Sequence, residues 1–388
     1  MEKLGEYCKV ISGFAFKSQD LSEGTDIPVI KIGNISNGKG VILDDSTQYV
    51  SKKFLSIDDK YHVTKGDILI SLTGSHINQP NSMVGRSCRN FSDTEFLLNQ
   101  RAGKVIPNKK ADKDYLYYLL NTESFKYSIC NRAYGAANQA NVSPSDIENI
   151  KWDFPSLPIQ KKIASILSAY DNLIENNNKR IKILEQMAEN LYKEWFVRFR
   201  FPGHETTPIE NGIPKGWKKG ILSEICCFLR GKNITSSEMV EGPYPVIAAG
   251  LEPSGYHNEA NVNGVSITIS NSGANAGYIS IHYSDIWAAD CSYVSELKTE
   301  NIFFVYEMLR NLSSVITNLQ RGAAQPHVYA KDVNDLKMYL PPKELMNKAN
   351  AQFKAIHQQI SVLTKQNDLL IKQRDLLLPR LMSGKLAV

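Results

Sequence analysis

Apolar residues recur along two stretches of this chain in steps that alternate four and three. The first stretch carries Ile163, Leu167, Tyr170, Ile174, Asn177, Ile181, Leu184, Ala188, Leu191 and Trp195; the second carries Ala349, Phe353, Ile356, Ile360, Leu363, Asn367, Leu370, Arg374 and Leu377. A sustained 3.5-residue spacing keeps one stripe of a helix turned toward a partner, so each stretch predicts a long helix of a coiled coil. The first helix follows Pro155 and Pro158, and the second follows Pro341 and Pro342. Pro379 is expected to stop the second, because proline lacks the amide hydrogen that a helix interior uses. At about 1.5 Å per residue, the segment 158–199 would be roughly 60 Å long.

Each seam holds one asparagine, Asn177 and Asn367. A polar residue buried in a seam sets register at a cost in stability. If the helices run antiparallel and these two asparagines meet, facing residue numbers sum to 544. That register sets Leu191 against Phe353, Ala188 against Ile356 and Leu184 against Ile360, and it brings Arg374 to Tyr170, a favourable place for a cation over a ring.

Outside these helices the pattern shortens to β-rich runs, such as 29–32, 68–72 and 265–270, set between clusters of Gly, Asn, Asp and Ser. Helical patterns recur near 114–120 and 303–312. Sliding the sequence on itself by 186 residues superposes the two heptad stretches and sets Gln139 on Gln325 and Asp146 on Asp332. Earlier landmarks match at larger offsets: 218 for Leu4-Gly5-Glu6 on Leu222-Ser223-Glu224, 217 for Pro28-Val29-Ile30 on Pro245-Val246-Ile247, and 199 for Ser71 on Ser270. The chain is an internal repeat whose second copy has shed about thirty loop residues while its frame persists.

The fold class that follows is α+β: two globular domains of mixed β-sheet with helices, joined by two long helices packed as an antiparallel coiled coil. The boundaries read as a globular domain at 1–157, a helix at 158–201, a Pro- and Gly-rich linker at 202–217, a second globular domain at 218–341, and a second helix with a C-terminal tail at 342–388.

With 388 residues, 42% hydrophobic and 22% charged, the chain can build two or three ordinary cores. Apolar runs such as 115–120 and 302–305 are too short to span a bilayer, and Met1 opens on a mixed polar segment, so a cytoplasmic protein is expected. The six cysteines, Cys8, Cys88, Cys130, Cys226, Cys227 and Cys291, form no CxxC pair, which predicts reduced and mostly buried thiols.

The net charge of +5 is unevenly spread. Residues 1–157 hold 19 basic against 18 acidic side chains, and 202–341 hold 10 against 14, whereas the two helical segments hold 8 against 5 and 8 against 3. If the globular domains touch DNA, their cations must be gathered on one face, because neutralising phosphates requires local positive charge.

Catalytic motifs are missing. No GxxxxGK[ST], GxSxG or HExxH occurs, nor an Asn-Pro-Pro-aromatic or Asp-Pro-Pro-aromatic run. The triplet Asp335-Leu336-Lys337 resembles part of a nuclease centre, but such triplets arise by chance.

What recurs instead is a matched set of polar loops. Thr73, Gly74, Ser75 and Asn78 in the first copy correspond to Asn271, Ser272 and Asn275 in the second. Such glycine-containing loops either cradle phosphate or simply turn the chain. Arg132, Tyr134, Asn138, Gln139 and Asn141 correspond to Arg321, Gln325 and His327, followed by Tyr329 and Lys331, and Gln100-Arg101 forms a third cluster. Arginine suits the guanine edge in the major groove, while asparagine and glutamine suit adenine. The competing reading is a polar loop capping the helix that follows. Lys161, Lys162, Lys179, Arg180 and Lys182 read as a solvated helix face.

This order of elements resembles the specificity subunit of a type I restriction-modification system over essentially the whole chain. The resemblance is strongest in Leu157-Pro158-Ile159-Gln160-Lys161-Lys162-Ile163-Ala164, in Asn190-Leu191-Tyr192-Lys193-Glu194-Trp195-Phe196, and in Leu376-Leu377-Leu378-Pro379-Arg380-Leu381-Met382-Ser383-Gly384-Lys385-Leu386. It implies that each globular part is a target recognition domain reading one half of a bipartite double-stranded DNA site. The coiled coil would set the unread gap and dock two methyltransferase subunits, with restriction and motor subunits joining through the complex. It further implies no catalysis and no cofactor in this chain, S-adenosylmethionine, ATP and Mg belonging to partner subunits, and no membrane. Recognition domains vary within the family, so the resemblance assigns no base contact. The alternative is a coiled-coil protein scaffold without DNA recognition, against which the recurring polar loops speak.

Overall fold

The computed structural model describes residues 1–24, 26–38, 40–76, 84–136, 139–322 and 325–388. The chain forms two compact units, Met1–Ile174 with Leu369–Val388, and Glu175–Asp368.

In the first unit, strands Ser87–Arg89, Ile68–Ser71, Ala102–Pro107 and Cys8–Ser12 lie side by side in that order, all antiparallel. Ile68, Leu69 and Ile70 are all fully buried, as expected of a strand covered on both faces. Ile68 and Ile70 pack with the helix Lys113–Asn121, which buries the consecutive run Tyr115 to Leu120. Leu69 packs on the other side with Ile30, Val63, Phe96 and Leu98 of a second sheet. That sheet orders Gln48–Val50, Ile27–Ile30, Phe96–Leu98 and His62–Val63, with its two central strands parallel. The helix starts where it does because the Asp112 carboxylate accepts from the amides of Asp114 and Tyr115, each at 3.0 Å, satisfying donors that a helix start leaves unpaired.

The second unit repeats this plan. Strands Leu229–Arg230, Cys291–Ser295, Ser266–Ser270 and Ile279–His282 form the equivalent four-stranded sheet. Tyr244–Ile247 again pairs in parallel with the strand Trp287–Ala288 and antiparallel with Gly255–His257. Among the described residues, the hairpin of Ile35–Ser36 with Gly40–Val41 has no counterpart in the second unit, and the repeat has shortened there. The strand His62–Val63 is reduced in the second unit to a single bridge, Val262 opposite Ile286.

The helix Leu157–Tyr192 is extended by a π-helical turn, Lys193–Val197, and the second long helix is Lys343–Met382. Ile163, Ala164 and Leu167 share the first core with Leu381 and Met382, while Ala188, Tyr192 and Phe196 share the second with Ala349 and Phe353. The start of one helix therefore packs in the same unit as the end of the other, and the pair runs antiparallel. In the second unit, Asn177 Nδ2 donates to Asn367 Oδ1 at 3.0 Å, and Asn367 Nδ2 donates to Asn178 Oδ1 at 2.8 Å.

Two expectations about the second helix are corrected. Pro379 lies inside it rather than at its end, with Ser383 donating to the Pro379 carbonyl at 3.1 Å. The extra turn carries Leu381 and Met382 into the first core, and that burial outweighs the one backbone bond a proline forfeits near a terminus. Arg374 binds Asp171 Oδ1 at 2.6 Å rather than sitting over Tyr170. A carboxylate one residue along the first helix offers a charge-assisted hydrogen bond, which is stronger than the face of a ring. Tyr118 steadies the same carboxylate, donating to Oδ2 at 2.5 Å.

The stretch 202–217 contains a 3-10 turn, His204–Thr206, and a short hairpin of Ile209–Glu210 with Ile213–Pro214. Phe201 before it and Trp217 at its end are both buried in the second core. All six cysteines are free, Cys227 alone being exposed, and burial pushes the Cys8, Cys88, Cys226 and Cys291 thiols up to about 12. Among the described residues, no helix is long and apolar enough to cross a membrane.

Candidate nucleic-acid interface

In the first unit, three polar segments that are far apart in sequence meet at the end of the central strand. Leu72, just past that strand, donates its amide to the Arg101 carbonyl at 2.9 Å, and its own carbonyl accepts from the Val142 amide at 2.9 Å. One residue thereby ties the Gln100-Arg101 turn to the strand Gln139–Asn141. That strand lies between Thr73–Gly74 and Tyr134–Ala136 in a three-stranded antiparallel ribbon, with Asn141 opposite both Thr73 and Tyr134. Thr73 Oγ1 donates to Asn141 Oδ1 at 2.8 Å.

Exposure rises across the ribbon from Thr73 through Asn141 to Tyr134. Thr73 and Ser75 are buried and hold the frame, whereas Gln100, Arg101, Arg132, Tyr134 and Gln139 are exposed, Tyr134 by 60%. Within the hairpin Gly135 pairs with Ala140; its φ is +120°, and a side chain there would meet the Gln139 carbonyl at 2.4 Å. Glycine is required there on both counts. The fold thus gathers Thr73, Gly74, Ser75, Gln100, Arg101, Tyr134, Gln139 and Asn141 into one cluster, with Arg132 just before the hairpin. Asn78 and Asn138 lie outside the described residues.

The second unit builds the same cluster with other side chains. Asn271 donates its amide to the Asp290 carbonyl at 3.3 Å and accepts from the Val328 amide at 2.9 Å, reproducing both backbone bonds of Leu72. His327 stands opposite both Ser272 and Arg321, as Asn141 stands opposite Thr73 and Tyr134. The Asn271 side chain is buried and accepts from Ser292 Oγ at 2.7 Å. Ser272 Oγ donates to Asp290 Oδ2. The His327 and Tyr329 rings stack with planes 17° apart, and Arg321 binds Asp332 Oδ1 at 2.6 Å. Gln325 and Lys331 are exposed on the same segment, and Asn275 lies in the turn after Gly273, its carbonyl accepting from Tyr278.

Two residues of this cluster were not singled out from the sequence. Arg230 and Asp290 line a cleft of about 50 Å³ with Asn271, Ser292, His327 and Tyr329. Only the fold reveals their match to the first unit: Ala102 and Cys291 each end a turn and accept the amide of an equivalent glycine, Gly13 and Gly231. That offset of 189 puts Arg101 on Asp290. Among the described residues, no three His, Cys, Asp or Glu side chains come together as a metal site.

Three comparisons bear on this geometry. The sequence model of the type I restriction modification DNA specificity domain matches residues 1–186 and again 214–374. The type I restriction enzyme MjaIX specificity subunit of Methanocaldococcus jannaschii is 25% identical over 97% of this chain and 91% of its own length. The putative MjaX specificity subunit of the same organism is 27% identical over 93% of this chain and 87% of its own. The fold is similar to the crystal structure of a type I restriction-modification system S subunit from M. genitalium, with a TM-score of 0.60 and 20% identity, over 98% of this chain and 95% of that one.

Proposed function

This chain belongs to the type I restriction modification DNA specificity family, and from that premise we propose that each compact unit reads one half of a bipartite duplex target through its polar cluster. The observation that carries the reading is the duplicated node: one backbone frame holds Thr73, Tyr134 and Asn141 in one unit and Ser272, Arg321 and His327 in the other. A shared frame aims the clusters alike, and their different donors and acceptors match different base edges. The two half-sites therefore differ in sequence, and the whole target is asymmetric.

The antiparallel helices set the spacing of the half-sites and carry the methyltransferase subunits, two per complex, with restriction subunits joining through them. The chain performs no chemistry itself; S-adenosylmethionine, ATP and Mg serve its partners, and the assembly works on cytoplasmic DNA. A scaffold without DNA recognition is not favoured, because such a protein has no use for two matched clusters of base-reading side chains.

The test is to express the chain with its methyltransferase subunits in a host lacking them and map methylated adenines across the genome. A bipartite motif with a fixed gap is the expected outcome. A motif that does not depend on which specificity chain is present would overturn the reading. Binding of the purified complex to the mapped oligonucleotide should weaken steeply with salt as counterions are released.

A further inference from the structure

We propose that Asp290 selects a base pair in the half-site of the second unit, its carboxylate accepting a hydrogen bond from the exocyclic amine of cytosine in the major groove. The inference rests on the reading that this unit binds duplex DNA, and it names a residue and a base chemistry that the reading leaves open.

The argument begins with position. Backbone bonding makes Asp290 the counterpart of Arg101: each carbonyl accepts from the residue that follows the central strand, Asn271 in one unit and Leu72 in the other. Arg230 is likewise the counterpart of Ser12, since Arg230 pairs across its sheet with Ser292 and Ser12 pairs with Gly103. The first unit thus offers a serine and an arginine where the second offers an arginine and an aspartate. The cation has moved to the neighbouring strand, and an acid has taken its place.

An acid on a surface that meets phosphates is repelled by them unless donors meet its oxygens; Ser272 serves Oδ2 of Asp290, which leaves Oδ1 to accept from a base. Among the base edges in the major groove, the cytosine amine is the donor that aspartate and glutamate accept from. The surroundings favour this use. Ser272 Oγ donates to Oδ2 and so fixes the carboxylate. Arg230 lines the same cleft and makes no ion pair among the described residues, which leaves its charge to offset phosphates beside the carboxylate. The cleft, at about 50 Å³, falls far below the size of small-molecule sites and suits the edge of a base.

Asp290→Asn tests this directly. The amide oxygen still accepts from Ser272, but its nitrogen is now a donor, and the pair suits adenine instead of cytosine. Expressed with the methyltransferase subunits, the variant should change one position of one half-site from C·G toward A·T, leaving the other half-site and the gap as they were. Asp290→Ala should lose discrimination at that position by roughly 10- to 100-fold. An unchanged motif in both variants overturns the proposal and leaves Asp290 as a tether for the 271–272 turn. Loss of methylation everywhere in Asp290→Asn, where the tether is kept, also overturns it. A separate exchange of residues 218–341 for those of a relative probes the underlying reading: if that exchange leaves the motif intact, the recognition reading fails, whatever Asp290 does.

Discussion

Asn141 and His327 occupy the same node of the two repeats. Each stands opposite a hydroxyl residue that follows the central strand, Thr73 or Ser272, and opposite the first residue of a short hairpin, Tyr134 or Arg321. The sequence separations differ, 68 residues in one copy and 55 in the other. The equivalence survives because the sheet fixes where these segments end, while the loops between them are free to vary in length.

Gln139 and Gln325 are exposed on the two hairpins, so each is expected to act on one half-site alone. Gln139→Ala should relax one position of the first half-site and Gln325→Ala one position of the second, each by about 1–3 kcal/mol of discrimination. Methylation mapping of each variant reads this out; relaxation of both half-sites by a single substitution would contradict it.

The asparagine pair in the seam should behave as a register device. Asn177→Leu strands Oδ1 of Asn367, which is 7% exposed, and should destabilise the fold by about 1–3 kcal/mol. The double variant with Asn367→Leu should recover most of that loss, because two leucines pack where two amides were bonded. A double-mutant cycle by urea denaturation measures the coupling, and purely additive losses would argue against the pairing.

Gly13 and Gly231 turn the chain at matching places, where a side chain would come within 2.2 Å of the Leu98 carbonyl or 2.3 Å of the Ala289 carbonyl. Either glycine changed to alanine should cost about 1–3 kcal/mol through forced displacement of backbone. Each loss should fall on its own unit, seen as amide exchange accelerating in that unit while the other is unaffected.

His282 gives the second unit a defined acid sensitivity. Burial pushes its pKa down to about 4, and Thr268 Oγ1 lies 2.8 Å from Nε2 of the ring. The unfolded chain, with an ordinary histidine near 6.5, therefore binds more protons than the folded one between those values. The neutral ring's contribution is complete above about pH 6.5 and declines as pH falls toward 4, by about 3 kcal/mol in all. His282→Gln should flatten the stability profile across that window, as followed by denaturation at stepped pH; an unchanged slope would rule out this source.

Much of the architecture is legible in the sequence because it is periodic. The 3.5-residue seams, the lone asparagine in each, and the shrinking offset of the repeat are one-dimensional signals, and they lead to two α+β domains and an antiparallel pair of helices. Local chemistry alone makes Pro379 a helix stop, and the core that awaits Leu381 and Met382 overrides it. Seam position alone points Arg374 at Tyr170, while the partner it takes, Asp171, flanks the seam and is steadied by Tyr118, a residue about fifty positions away.

The chain by itself determined most of the polar residue types in the candidate clusters, since loops rich in Gly, Asn, Gln and Arg recur in both copies at an offset that shrinks along the chain. Only the tertiary structure decided which of them share a site. Leu72 joins residues near 101 and 142, and Asn271 joins residues near 290 and 328, through backbone hydrogen bonds to which the side chains contribute no pattern. Backbone pairing between distant strands depends on register within a whole sheet, and that register is set by burial on both faces at once.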